Sequence, residues 1–348
     1  MSAAVSAAEL VADATWYPLR IEYQTRDIVF GAMDRGTYVA SSFLDHRTIT
    51  ADNRGLKLPL SALEPVLESM PLRPMNMIFH TAFCGSTLLS RCLDVEGRSL
   101  ALREPFLLHQ LSLIKRGLPC HYGVEGMLAA DAAPLGLVHK LLGRTFAELE
   151  KPLVKPSDTC INIAPELLQL VPGSRAILLY SDLESFILAM LRRDDRREFL
   201  RGMMSRAMID LQGYPGIGPG LPSRLKDGEK AGLLWLSLMH KYQAILADDS
   251  LEVRSLQDKA LYADPGAVVA RCARYFELDV PAEAIAGQVD REFNRDAKGG
   301  AEPYSQQKRA DRRQRQLKSF GREIQLGIDW VSAHAGAAPV PAQLPRAL

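Results

Sequence analysis

The chain has 348 residues, 47% of them hydrophobic, and a formal net charge of +1. That is enough apolar material for a sizeable buried core, and it excludes a globally disordered chain. The near-neutral balance argues against a non-specific nucleic-acid binder, so any preference for anions must be local.

The first segment is β-rich. "LRIEYQ", "RDIVFGAM" and "TYVASSFLD" are short β-branched or aromatic runs separated by turn residues. "LSALEPVLESM" then has helical spacing and ends at the Pro71–Pro74 break. This predicts a β-rich N-terminal extension over 1–73.

From Met75 the pattern alternates. "MNMIFH", "RSLALRE", "PLVKP", "RAILLYS" and "LEVRSL" are short apolar runs, each followed by a stretch with helical spacing. Near-continuous apolar strands alternating with helices predict an α/β domain over 74–335, a parallel sheet covered on both faces by helices. Such sheets bind ligands beyond the carboxyl ends of their strands. The Gly- and Pro-dense 213–222 reads as a loop. Trp235, Leu238, Met239, Tyr242 and Ile245 keep a helical period and read as core. "KRADRRQRQLK" reads as a basic, exposed helix, and the Ala/Pro-rich end, 336–348, as a disordered tail.

Five cysteines, Cys84, Cys92, Cys120, Cys160 and Cys272, are odd in number and form no CxxC pair. That suits free thiols in a reducing compartment. The first residues lack the basic start and long apolar core of a signal peptide. No run of about eighteen apolar residues marks a membrane span. The expectation is a cytoplasmic protein with no nucleic-acid or membrane partner.

The chemistry centres on Phe83-Cys84-Gly85-Ser86-Thr87, between the strand at 75–80 and a helix. A strand–loop–helix of this kind turns backbone N–H groups and the positive end of a helix towards an anion. Gly-Ser-Thr at a helix start is also a common N-cap. A nucleotide-hydrolysing P-loop would need a lysine where Ser86 stands. A cysteine phosphatase would need one residue fewer between Cys84 and Arg91. A third reading is a site for a 5′-phosphosulfate, where no β–γ phosphate bond is split. Glu104 ends the second strand of the domain and Lys155 the third. A carboxylate able to take an acceptor's proton and a lysine able to neutralise a leaving oxygen suit transfer of a sulfuryl group.

In "FHTAFCGSTLLSRCLD", "LREPFLLHQL", "LVKPSDTCINIAPELLQLVPGSRAILLYSDLESFI" and "DAKGGAEPYSQQKR" the chain resembles the sulfotransferase superfamily, bacterial sulfotransferase-like proteins in particular. The resemblance implies a P-loop-type sheet and 3′-phosphoadenosine 5′-phosphosulfate (PAPS) as the nucleotide donor. It also implies a small hydroxyl or amine acceptor and no metal. It makes Glu104 the base and Lys155 the group beside the transferred sulfuryl. It assigns Phe83, Cys84, Gly85, Ser86 and Thr87 to the 5′-phosphate, and Ser181, Lys298 and Gly299 to the far end of the nucleotide.

The sequence departs from that pattern at the loop and beyond it. The family's loop carries Lys or Arg where Phe83 stands, and its 3′-phosphate arginine and serine fall on Ser181 and Ala189. Arg192 and Arg193 are candidate substitutes. In the cytosolic members a histidine base occupies the position of Ser157, which favours Glu104 for that role. Two other readings stay open. One is a degenerate nucleotide-sensing protein without transfer. The other is a small-molecule P-loop phosphotransferase, with Asp182 as its metal-binding carboxylate.

Overall fold

The computed structural model of the protein describes residues 5–45, 47–48, 55–119, 134–294, 306–336 and 340–348. Its strands are β1 Trp16–Glu22, β2 Asp27–Ala32, β3 Gly55–Pro59, β4 Asn76–His80, β5 Ser99–Arg103, β6 Lys151–Lys155, β7 Arg175–Tyr180 and β8 Val253–Gln257. The last five form one parallel sheet in the order β5-β6-β4-β7-β8. β4 is central. The chain runs from it to one side through β5 and β6, then crosses to the other side for β7 and β8. The loop after β4 therefore leaves the sheet where the strand order reverses, the usual place for a ligand crevice.

Every residue of β4 and β5 is buried. Successive side chains go to opposite faces. Met77, Phe79, Leu100, Leu102, Val154, Ala176 and Leu178 join one apolar cluster, and Ile78, Ala101, Leu153, Ile177, Leu179 and Leu256 the other. The helix Asp227–Ala247 packs into the first cluster through Trp235, Leu238, Met239, Tyr242 and Ile245. Helices Ser86–Cys92 and Pro265–Tyr275 pack into the second. This is the α/β sheet covered on both faces that the apolar runs predict. The stretch 213–222 is a loop that ends in the short helix Leu221–Arg224, and the basic segment lies in the helix Gln306–His334.

The N-terminal strands form an antiparallel sheet, β1-β2-β3. Two expected features differ. The third β-rich run is not a strand: Arg35–Ala40 is helical, because the Asp34 carboxylate caps it, accepting from Thr37 N–H at 2.7 Å. The third strand is Gly55–Pro59, whose five residues carry only two leucines and are not fully buried.

The N-terminal segment also shares the main apolar cluster, with Leu10, Tyr17, Ile21 and Phe30 beside Leu102 and Leu107. Polar links fasten it. The Gln110 side chain bonds Ile21 N–H at 2.9 Å and the Ile21 carbonyl at 2.8 Å. Arg103 is fully buried, pairs with Asp94 at 3.0 Å and donates to the carbonyls of Tyr38, Val39 and Ser41.

The expected disordered end needs correction over 340–348. Leu344 is buried, Ser255 N–H donates to the Arg346 carbonyl, and Leu348 N–H donates to the Ser255 carbonyl, both at 2.9 Å. The open edge of β8 supplies the backbone partners that the Ala/Pro-rich composition conceals.

A candidate anion and transfer site at the carboxyl end of the sheet

The loop after β4 is tightly wound. Thr81 N–H donates to the Leu179 carbonyl at 3.1 Å and Ala82 N–H to His80 Nδ1 at 3.0 Å. Ala82, Phe83 and Gly85 all have positive φ, at 61°, 51° and 90°. Glycine suits position 85, because its φ of 90° strains any side chain and a Cβ there would meet the Tyr262 hydroxyl at 2.8 Å. Among the described residues, the N–H groups of 83–87 find no acceptor, so the loop presents a row of donors. The helix Ser86–Cys92 opens from it, as predicted.

Cys84 contributes only its backbone. Its thiol is fully buried, faces the Leu179 carbonyl, and is pushed up to about 12 by burial. It is no nucleophile.

Glu104 and Lys155 meet. Lys155 Nζ lies 2.5 Å from Glu104 Oε1, and Glu104 N–H donates to the Lys155 carbonyl at 2.6 Å. Lys155 is almost wholly buried, while the Glu104 side chain keeps about a fifth of its surface open. Glu104 has φ of 53°, a backbone setting uncommon outside glycine.

Two residues that the sequence reading did not single out complete this cluster. His80 ends β4, and its Nε2 lies 3.8 Å from Glu104 Oε1, beyond hydrogen-bond reach. Because Nδ1 accepts from Ala82, Nε2 carries the proton. Burial, and then the Lys155 charge, holds His80 well below the usual histidine range, so the ring is neutral. Asp158 is buried, and burial followed by the Glu104 charge pushes its carboxyl up to about 6. Its neighbour Ser157, at the position of the cytosolic members' histidine, donates to it at 3.2 Å. A histidine closing a buried strand just before a glycine loop was the available signal for His80. Asp158 carried none.

The positions that the resemblance assigns to the far end of a nucleotide are different. Ser181 is buried. Its hydroxyl donates to Asp258, and its carbonyl accepts from the Trp235 indole at 3.0 Å. It does not face open space. Lys298 and Gly299 lie outside the described residues. Arg193 pairs with Asp195 at 2.8 Å, and Asp182 caps the helix Leu183–Leu191 and pairs with Lys259 at 3.0 Å.

Among the described residues, a cation that does reach the loop is Arg196, from the helix Asp194–Asp210. Its guanidinium lies 3.9 Å from the centre of the Phe83 ring, and Phe199 of the same helix meets that ring edge-on at 5.9 Å.

No family model and no curated protein matches the chain. Among solved structures, it is similar to a sulfotransferase from Alicyclobacillus acidocaldarius. The identity is 14%, with 75% of this chain and 96% of that one covered and a TM-score of 0.36. It is also similar to the sulfotransferase domain from the curacin biosynthetic pathway, at 14% identity, 78% and 95% coverage and a TM-score of 0.38. Likenesses of this size say nothing of what the site binds or does. No helix among the described residues is long and apolar enough to cross a membrane.

Proposed function

We propose that this protein is a sulfotransferase-type enzyme that moves a sulfuryl group from PAPS to a small hydroxyl or amine acceptor. The observation that carries the reading is the Glu104–Lys155 pair, set at neighbouring strand ends in a sheet whose central strand opens into a lysine-free donor loop.

In this reading the loop N–H groups and the Ser86 and Thr87 hydroxyls hold the donor's 5′-phosphate. The acceptor oxygen or nitrogen attacks sulfur in line. The bond between sulfur and the 5′-phosphate oxygen breaks, and Lys155 neutralises the charge growing on that oxygen. The acceptor's proton passes to Glu104. The neutral His80 ring lines the same cluster, with Nε2 3.8 Å from Glu104. The products are the sulfated acceptor and 3′-phosphoadenosine 5′-phosphate.

A second reading is binding without transfer. What favours it is the Ser181 hydroxyl, engaged by Asp258 and turned from the 3′-phosphate role. A phosphotransferase gains less support, since Asp182 is committed to its cap and to Lys259.

The deciding experiment pairs calorimetric titration of 3′-phosphoadenosine 5′-phosphate, AMP, ADP and ATP with a transfer assay that follows the bisphosphate product from PAPS across an acceptor panel. Binding of the bisphosphate with product release supports transfer. Binding without release in every acceptor supports the second reading. Preference for ATP overturns both.

A further inference from the structure

Phe83 stands where the resemblance expects a cationic loop residue, so the loop itself offers an anion dipoles and hydroxyls but no full charge. The structure brings a charge from elsewhere. Arg196 is 4% exposed, and its guanidinium carbon sits over the Phe83 ring, 3.9 Å from the ring centre. Its Nη1 donates to the Ala189 carbonyl at 2.9 Å. Among the described residues no carboxylate is within ion-pair distance of it, and its neighbour Asp195 is taken by Arg193. Asp195 acts on the guanidinium only from beyond ion-pair distance, and a buried guanidinium without a contacting carboxylate is expensive to keep. Burial, and then Arg192 and Arg193, pull Arg196 down to about 10, which still leaves it charged at neutral pH. Stacking suits arginine, because a planar guanidinium can lie on a ring and still donate from its edge.

We infer that Arg196 is the cation of this anion site: held by Phe83, it supplies from the helix Asp194–Asp210 the charge that the loop lacks, and it meets the 5′-phosphosulfate end of the donor. The identity of that anion rests on the proposed donor; the presence of an anion site does not. An anion above the loop would give Arg196 the contacting counter-charge that it lacks among the described residues. The phenylalanine at the cation position then serves as the platform for an arginine that comes from a different element.

The test is calorimetry on wild type, R196Q, R196K and F83L with three probes: pyrophosphate, 3′-phosphoadenosine 5′-phosphate and adenosine 3′-monophosphate. R196Q is expected to weaken the first two by roughly ten- to a hundredfold and to leave the third unchanged. R196K recovers part of the loss, and F83L loses several-fold by freeing the guanidinium. Unchanged affinity in a folded R196Q overturns the inference. So does a loss seen with the 3′-monophosphate, which would move Arg196 to the other end of the nucleotide, and so does a wild type that binds none of the probes. Wild type that binds pyrophosphate but no adenine nucleotide, with the pyrophosphate lost in R196Q, upholds Arg196 and removes PAPS as the donor. If R196Q does not fold, R196K decides, with several-fold weaker pyrophosphate binding expected and equal binding contrary.

Discussion

Lys155 Nζ sits 2.5 Å from Glu104 Oε1; Lys155 ends β6, and Glu104 directly follows its parallel neighbour β5. The pair is lopsided, because the lysine is almost wholly buried and the glutamate is partly open. Removing the glutamate charge strands a buried ammonium, whereas removing the lysine leaves a carboxylate that water can reach. Glu104→Gln should therefore lose about 3–5 kcal/mol of stability, and Lys155→Met clearly less. Turnover should fall roughly a hundredfold or more in Glu104→Gln, with donor binding nearly intact. The double variant should regain much of the stability and none of the turnover. Denaturant melts and steady-state rates on the three variants check this, and a fully active Glu104→Gln would remove the residue from the chemistry.

Asp158 and His80 give the cluster opposed responses to pH. Burial, with the Glu104 charge behind it, raises Asp158 to about 6. A carboxyl raised above its unfolded value stabilises the fold fully below about pH 4, and that contribution is lost as pH rises through about 6. His80 is depressed by burial and by Lys155, so its contribution is present above about pH 6.5 and is lost as pH falls. Asp158→Asn removes the first response alone. Relative to wild type it should gain stability at pH 8 and lose it at pH 4, a swing on the order of 2–3 kcal/mol. Parallel stability curves for the two proteins would contradict the assignment.

Gly85→Ala tests the loop. Its φ of 90° disfavours any side chain, and the new methyl would press on the Tyr262 hydroxyl. A loss of about 1–2 kcal/mol is expected, with nucleotide or pyrophosphate affinity down at least tenfold. Adding Tyr262→Leu relieves the contact but not the backbone angle, so recovery should be partial. A Gly85→Ala protein that binds as wild type would show that the loop backbone holds no anion.

Ser181 offers a control with the opposite expectation. Its buried hydroxyl already serves Asp258. Ser181→Ala should cost about 1 kcal/mol in stability and leave affinity for 3′-phosphoadenosine 5′-phosphate unchanged. Ser181→Arg would press a guanidinium against Asp258 and should not improve affinity. A tenfold drop in Ser181→Ala would return the residue to the nucleotide site.

Much of the sheet was legible because strands covered on both faces must be apolar throughout, and the runs before His80, Glu104 and Pro156 are. The loop was legible because Gly85 and two hydroxyl residues follow such a run. The strand-end rule brought Glu104 and Lys155 forward, but nothing local told of their contact, which joins residues 51 apart. Arg196 lies among the alternating charges of "LRRDDRREFLR", where nothing local sets it apart; only the fold brings it over Phe83. Ser181 had the right register and the wrong surroundings, set by Asp258 from 77 residues away. At "TYVA" a β-prone composition yielded to a cap, since Asp34 outweighs propensity over so short a stretch.

Both margins of the parallel sheet are closed by segments from far along the chain. Leu44 bonds Arg103 and Phe106 beside β5, and 346–348 bond Ser255 beside β8. One cover is therefore synthesised before the sheet and the other after it. While the ribosome is still adding the closing residues, β8 has left its neighbour side bare, a template for another nascent chain. Until residues 346–348 are made, that edge stays open to misassembly, and a chain that lacked them would carry the exposure for life.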